Sequence, residues 1–413
     1  MLNLKLKEAS SPKNKNMRVH LDIKSSEILS IMMIQIEDGS LTLSRRVVIC
    51  TGQPGAGRDE YLQALRSKQE FHYYHLFDYI VEEAEKRGFT LNKLNVLDFY
   101  DSKPGVLESF RAEALKRIIN EIRREEGVHV ISTPYHFEWK GKSYEGLRQD
   151  EIKTLDPDLF LVIIDDLIRV RERLKKDPQW REYNFTLVEL AQWRRAEITG
   201  VYNLSRTFTP HREFYLVARE HGLDLLKDLI FNRHKKKVYL SHPITGEDED
   251  FFRKVRRFAE YLQPHYAVFD PYMIKDWDVV EAWRKIRNEA LMEGKEVPEK
   301  IDVTIEYEDG SRRYKLDSWD IETAIKNIRA QIIDTDYKIV ESCHYVVVYH
   351  PREEVSAGVM SEMIQAKGMA KFVYVFYPFE PSPFFEWYST KIFSSEKEII
   401  AFLKEIAGRE TSI

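Results

Sequence analysis

Short apolar runs alternate with longer amphipathic segments along most of the chain, and this alternation predicts strands and helices in turn. In the first half, the runs at 128–133 and 158–165 have the length and apolar content of buried strands. The stretch "RRVVICTGQPGAGRDEYLQALRS" has the pattern of a strand, a glycine-rich loop and a helix. Such βαβ alternation predicts a parallel sheet with helices on both faces.

The same alternation restarts after a basic run at 234–237, so we place a domain boundary near residue 235. A strand at 238–241 and a helix from 247 to about 262 precede three further apolar runs, "YAVFDPY", "YVVVYHP" and "KFVYVFYP". The polar stretch 275–329 holds a Glu-Asp-Gly turn between strand-like runs, which predicts an inserted hairpin flanked by helices. Two doubly wound α/β domains are therefore expected, at 46–234 and 235–413, after an N-terminal extension (1–45) with one or two added strands.

Composition narrows the class of protein. A chain of 413 residues exceeds what one core usually supports, and 43% hydrophobic with 32% charged residues is typical of a soluble protein. The net charge of -5 provides no basic excess for nucleic acid, and no apolar run reaches membrane-spanning length. Cys50 and Cys343 lie beside apolar runs and are expected to be buried free thiols. We expect a cytoplasmic protein without a nucleic-acid or membrane partner.

The glycine-rich loop has the spacing of a phosphate-binding loop. Gly52, Gly55 and Gly57 would let backbone N–H groups turn toward a phosphate at the start of a helix. A working loop continues with Lys, which reaches the phosphates, and Ser or Thr, which ligates magnesium. Arg58 and Asp59 stand there instead, and the Asp59 carboxylate would repel phosphate. These four residues, the three glycines and Arg58, are predicted to bind nucleotide without transferring a phosphoryl group.

Residues from about 46 to 206 resemble the archaeal-type adenylate kinases, a family of P-loop kinases. The resemblance rests on the loop, on "STPYH", on "LDPDLFLVIID" before "RVRERLKKDPQWR", and on "ELAQWRRAEI". It implies that Arg173, Arg181 and Arg195 are candidates to clamp phosphates. ATP and magnesium would be needed only if this half were an active kinase, and a scaffold role is the alternative.

The segment "VSAGVMSEMIQAKG" follows an apolar strand and carries Glu362. Ser356 is predicted to cap a helix whose apolar face holds Val359, Met363 and Ala366. Glu362 lies next to that face. From the residues alone, Glu362 is either a solvated helix former or a carboxylate placed for chemistry above the end of a strand.

Three segments of the second half resemble the nucleoside 2-deoxyribosyltransferase superfamily in order and spacing. They are "VYLSHPITGEDEDFFRKVRRFAEYL", "DTDYKIVESCHYVVVYH" and the segment around Glu362. The nearest branch is the 2′-deoxynucleoside 5′-phosphate N-hydrolases, whose Ser-x-Gly-Val-x-x-Glu-x-x-x-Ala element is present whole. The resemblance implies a flavodoxin- or Rossmann-like domain with Glu362 as the nucleophile. It also implies an assisting Asp, best matched by Asp336, with Asp334 as the alternative.

Four further residues are expected at the substrate. Ser356 and Gly358 belong to the element that the resemblance covers, and Ser356 would hold the sugar or its 5′-substituent. Tyr239 and His242 lie on the first strand of the second domain and its loop, at the edge where open α/β sheets bind ligands. Simple core packing is the alternative for Tyr239.

The predicted reaction is cleavage of an N-glycosidic bond, or transfer of the base, on a small-molecule nucleoside or nucleotide. Two neighbouring carboxyl groups suit this reaction because repulsion between their charges moves their two pKa values apart. One group can then be protonated and act as an acid while the other is an anion. No cofactor or metal is required for it. The loop "SHPITGED" lacks the arginine that cups a 5′-phosphate in the N-hydrolases, so the phosphate requirement stays open.

A homodimer through the C-terminal domain is expected. The alternatives are a bifunctional kinase and glycosidase, or a nucleotide sensor without turnover.

Overall fold

The computed structural model of the protein describes residues 34–37, 40–43, 45–140, 142–307 and 309–410. The chain forms two compact units, Met1–Leu43 and Ser44–Ile413. In the first unit, strands β1 (Ile34–Glu37) and β2 (Ser40–Leu43) pair antiparallel, which agrees with the predicted added strands. The rest of the predicted extension, at 1–33, lies outside the described residues.

The first α/β region of the larger unit is built on a parallel sheet with the strand order β4-β5-β3-β8-β9, and β6 and β7 form a separate antiparallel hairpin. The predicted strands at 128–133 and 158–165 correspond to β5 and β8. In chain order the elements are β3 (Arg46–Thr51), α1 (Arg58–Arg66), β4 (His72–His75), α2 (Leu76–Lys86), α3 (Val96–Ser102), α4 (Pro104–Arg124), β5 (Val128–Ser132), β6 (His136–Trp139), β7 (Lys142–Glu145), α5 (Gln149–Leu155), β8 (Leu159–Ile164), α6 (Leu167–Lys176), α7 (Leu187–Arg206), β9 (Glu213–Ala218) and α8 (Gly222–Phe231).

The second α/β region has its own five-stranded parallel sheet, in the order β11-β10-β14-β15-β16. This is the flavodoxin-like order, in which ligands bind where the order reverses, between β10 and β14. The predicted inserted hairpin is confirmed as β12 and β13. The elements are β10 (Lys236–Ser241), α9 (Glu249–Leu262), β11 (Tyr266–Phe269), α10 (Asp276–Met292), β12 (Lys300–Tyr307), β13 (Gly310–Asp317), α11 (Ser318–Ser342), β14 (Tyr345–Tyr349), α12 (Ala357–Gly368), β15 (Phe372–Phe376), α13 (Pro383–Tyr388), β16 (Lys391–Phe393) and α14 (Glu396–Glu410).

One apolar core continues through both sheet regions, and a second core lies on the opposite face of the second sheet. Side chains alternate between the faces of β10, so Val238 and Leu240 pack on one side, toward the core that includes α9 and α14. Tyr239 points to the other side and joins the core that continues through the first region. A buried ion pair also joins the regions, with Arg194 Nη2 2.6 Å from Asp276 Oδ2. The predicted boundary near residue 235 thus separates two sheets that belong to a single compact unit.

Cys50 and Cys343 are buried free thiols, as predicted. Among the helices of the described residues, none combines the length and the apolar character that crossing a membrane requires.

Candidate active site

A cavity of about 400 Å³ lies at the point where β10 and β14 end, within the size range of small-molecule sites. The second region contributes most of the polar side chains of its wall. The first region contributes Ile164, Arg194, Ala218 and His221, so both sheets line it. The acidic and hydroxyl side chains in the wall are those of Asp270, Asp278, Asp336, Ser356 and Glu362, together with Thr245, Tyr272 and Thr335.

Glu362 is buried in this wall. Its residue is 9% exposed, so the alternative of a solvated surface residue is wrong. The Tyr239 hydroxyl donates to Oε1 at 2.8 Å and the Ser241 hydroxyl donates to Oε2 at 2.5 Å. Both hydroxyls reach it because residues two apart on a strand share a face. The carboxylate is therefore fixed in orientation before any ligand arrives.

Asp336 lines the same cavity from α11, as predicted. The alternative residue, Asp334, pairs instead with Lys338 one turn along the helix. Burial raises the pKa of Asp336 well above its usual range, and the charges of Glu362 and Asp270 raise it further. Burial also raises the pKa of Glu362, but hydrogen bonds from Ser241 and Tyr239 favour its ionised form. Of the two carboxyl groups, Asp336 is therefore the more readily protonated, and Glu362, which accepts both hydroxyl hydrogen bonds, is the more readily ionised.

The other predicted substrate residues divide into two groups. Ser356 and Gly358 line the cavity at the start of α12, whereas Tyr239 is buried behind Glu362 and does not line it. Ser356 occupies the predicted N-cap position, but its hydroxyl accepts no hydrogen bond from the first turn of α12. The position is confirmed, and the predicted capping hydrogen bond is wrong. That hydroxyl is consequently not committed to the helix. His242 lines the cavity, yet both of its ring nitrogens have protein partners.

Several residues in the wall or behind it were not predicted. Ser241, behind Glu362, and Asp270, in the wall, carried a usable signal, because Ser241 ends β10 on the face of Tyr239 and Asp270 directly follows β11 at the ligand-binding edge. Asp278, on α10, has its pKa raised to about 6 by burial. Arg194 and His221 belong to the first region, and no local pattern indicates that they reach this cavity.

The glycine-rich loop borders a second cavity, of about 810 Å³. Gly55 (φ 83°) and Gly57 (φ 77°) line it in the left-handed conformation that favours glycine. Gly52 does not line it. Its N–H donates to the buried Glu197 carboxylate at 2.8 Å, and a Cβ atom there would lie 2.5 Å from the carbonyl oxygen of Ile163. Gly52 therefore allows close packing under the loop, and its N–H already has a partner.

Arg58 lines the cavity but is committed to protein partners. Its guanidinium pairs with Asp59, with Nη2 to Oδ2 at 2.9 Å, and donates to the Ser132 hydroxyl at 2.8 Å. Burial opposes ionisation of Asp59, but the Arg58 charge and hydrogen bonds hold the pKa of this carboxyl well below its usual range. The two residues neutralise each other. They therefore do not replace the lysine that reaches the phosphates or the hydroxyl that ligates magnesium in a working loop.

Of the three arginines proposed to clamp phosphates, Arg173 lines this cavity and Arg181 and Arg195 do not. Arg173 donates to the carbonyl oxygen of Gly55 at 2.7 Å and pairs with the buried Asp165. The loop cavity thus retains one of the candidate cations, already hydrogen-bonded to the loop itself.

We expect no phosphoryl transfer from ATP by the wild-type protein, because Arg58 is held by Asp59 and cannot follow the phosphates. Chromatography of ATP and magnesium with nucleoside or monophosphate acceptors should detect no ADP above a protein-free control. The double variant Arg58→Lys and Asp59→Thr tests whether the rest of the loop is intact. Magnesium-dependent ADP formation by the wild-type protein would overturn this expectation.

One family model matches part of the first region. Residues 51–189, which include the glycine-rich loop, match the family model described as an AAA domain. Two solved structures are similar to the chain. TT1252 from Thermus thermophilus is 14% identical, with a TM-score of 0.29 over 46% of this chain and 94% of that one. A shikimate kinase from Bacteroides thetaiotaomicron is 15% identical, with a TM-score of 0.27 over 53% and 98%.

Both TM-scores lie below 0.5, so neither neighbour carries a functional argument. The comparison with curated proteins found no match. The first region is therefore an α/β domain built on a parallel sheet, and its residues 51–189 match the AAA-domain model. None of the matches supports the resemblance of the second region to the deoxyribosyltransferases, which stays a prediction.

Proposed function

We propose that the protein cleaves the N-glycosidic bond of a nucleoside or nucleotide, by hydrolysis or by transfer to a second base. The observation that carries the proposal is the pair of carboxyl groups, Glu362 and Asp336, in one cavity at the reversal of the strand order. Their surroundings make Glu362 the more readily ionised of the two and Asp336 the more readily protonated. This is the division of roles that glycosidic cleavage requires.

In the first step, an oxygen of Glu362 attacks the anomeric carbon of the sugar. The bond from that carbon to the base nitrogen breaks, its electron pair leaves with the base, and Asp336 donates its proton to the base. The product is a glycosyl ester of Glu362. In the second step, water or another base attacks the same carbon, Asp336 takes up the proton, and the Glu362 carboxylate is released.

Three hydroxyl-bearing residues support this reaction in different ways. Tyr239 and Ser241 hold the carboxylate of Glu362 and so orient the attacking oxygen. Ser356 lines the cavity with a hydroxyl that does not cap its helix, and we assign it to the sugar or its 5′-substituent.

A panel of nucleosides and nucleotides, with and without an added free base, tests the proposal by chromatography. Release of free base supports hydrolysis, and appearance of a new nucleoside or nucleotide supports transfer. A folded wild-type protein that does neither with any member of a panel covering both sugars, the common bases and both phosphorylation states would contradict it.

We also propose that the P-loop region binds nucleotide without turnover. The family match over residues 51–189 and the cavity beside Gly55 and Gly57 support this. Calorimetric titration with ATP tests it separately from base release, and the absence of saturable binding would contradict it.

A further inference from the structure

His242 follows β10 in the wall of the cavity, and its side chain is 0% exposed. Both ring nitrogens face oxygen acceptors. Nε2 lies 3.0 Å from Oδ1 of Asp270, and Nδ1 lies 2.9 Å from the carbonyl oxygen of Pro243. A carbonyl oxygen and an ionised carboxylate can only accept hydrogen bonds, so each ring nitrogen must carry a hydrogen. The hydrogen-bond geometry therefore indicates an imidazolium.

Asp270 is well placed to be the counterion. Its Oδ1 also accepts a hydrogen bond from the backbone N–H of Tyr272 at 2.9 Å. Although burial opposes its ionisation, the charge and hydrogen bond of His242 hold the pKa of Asp270 below its usual range. Burial disfavours the His242 cation too, but Asp270 raises the pKa of His242 above its usual value.

A second histidine, which contacts the backbone of Asp270, is neutral where His242 is charged. His221, from the first region, lies with Nε2 3.0 Å from the backbone N–H of Asp270 and so must accept through that nitrogen. Its Nδ1 lies 3.2 Å from the carbonyl oxygen of Ala218 and so must donate. A ring with one accepting and one donating nitrogen is neutral. Burial, which lowers the pKa of His221, acts in the same direction.

The titratable groups that act on Glu362 and its immediate neighbours are Tyr239 on β10, His242 in the loop after it, Asp270 after β11 and Asp336 on α11. Tyr239 and Asp336 are neutral when protonated, and Asp270 is an anion, so His242 is the cation among these four. The same cavity is also lined by Asp278, by Arg329 and by Arg194, which pairs with Asp276. The remaining hydroxyl contact, from Ser241, carries no charge.

We propose that His242 is a positioning residue that stays protonated at neutral pH and keeps the buried Glu362 ionised. Its own protonation does not depend on the reaction, whereas its effect on the rate rests on the proposed function. His242 acts through Glu362 and not on the substrate, because neither ring nitrogen is left to contact a ligand.

The first test is nitrogen-15 NMR of the ring nitrogens in the full-length protein, with signals assigned by loss in His242→Gln and His221→Gln. From pH 6 to pH 8, His242 should show the two similar shifts of an imidazolium, and His221 the widely separated shifts of a neutral ring. A neutral His242 at pH 7 would overturn the proposal. This test needs no catalytic activity, so it remains decisive even if base release is never found.

The second test is the dependence of the base-release rate on pH. Glu362 must be ionised to attack, so loss of the nearby cation in His242→Gln should move the acid limb to higher pH by roughly one unit. The acid limb should stay in place in His221→Gln, which replaces a neutral ring. An unshifted limb in an active His242→Gln protein would overturn the proposal.

Discussion

The Glu362→Gln variant should release base at least on the order of a thousandfold more slowly than the wild type, while remaining folded. Glutamine keeps the shape of the side chain but cannot form the glycosyl ester. Its amide oxygen can accept from one of the two hydroxyls that hold Glu362, and its amide nitrogen can donate to the other, because hydroxyls do both. Steady-state rates and circular dichroism of the purified variant provide the measurement.

The matched control is Glu354→Gln, which removes the same charge from an exposed residue of the loop before α12 and should leave the rate unchanged. Glu362→Ala is a poorer choice, because it leaves the hydroxyls of Tyr239 and Ser241 without their acceptor at a cost of about 1–3 kcal/mol. Wild-type turnover by a folded Glu362→Gln protein would remove Glu362 as the nucleophile.

The Asp336→Asn variant should be slower by roughly 10²- to 10⁴-fold and should lose the alkaline limb of the pH profile. In the proposed mechanism Asp336 donates a proton, so only its protonated form would be active. Its raised pKa keeps it protonated at neutral pH, and activity should fall as the pH rises through that pKa. The acid limb, which reflects ionisation of Glu362, should remain. Initial rates across the pH range measure both limbs.

A substrate whose base already carries a positive charge provides a control for this role. A 7-methylated purine deoxynucleoside needs no proton on leaving, so Asp336→Asn should cleave it at close to the wild-type rate. Asp334→Asn should retain the wild-type rate on every substrate, because Asp334 pairs with Lys338 along α11 and does not line the cavity. An equal loss on neutral and cationic bases would show that Asp336 is not the acid.

Local patterns in the sequence identified the elements that carry the candidate site. The strand predicted at 238–241 is β10, and the run "YVVVYHP" contains β14, because continuous aliphatic runs of this length favour buried parallel strands. The Glu-Asp-Gly turn predicted the inserted hairpin. By contrast, β4 was missed, since its sequence HYYH contains no aliphatic residue.

Contacts between distant segments could not be predicted in the same way. The helical period placed Glu362 beside the apolar face of α12, but its burial depends on hydroxyls from β10, more than a hundred residues earlier. Residues of the first region form part of the cavity wall, but no pattern in the sequence of the second region indicates that they do. For Asp59, the sequence indicated a charge facing the phosphates, whereas in the structure Arg58 neutralises that charge.

Trapping the glycosyl ester tests the central claim most directly. A 2′-deoxy-2′-fluoroarabinosyl nucleoside slows both steps, because fluorine destabilises the positive charge that develops on the sugar, and so lets the ester accumulate. We predict that intact-protein mass spectrometry will show the addition of one fluorosugar, and that fragmentation will place it on Glu362 within α12. A protein that releases base from ordinary nucleosides but carries the sugar on another residue would contradict the account.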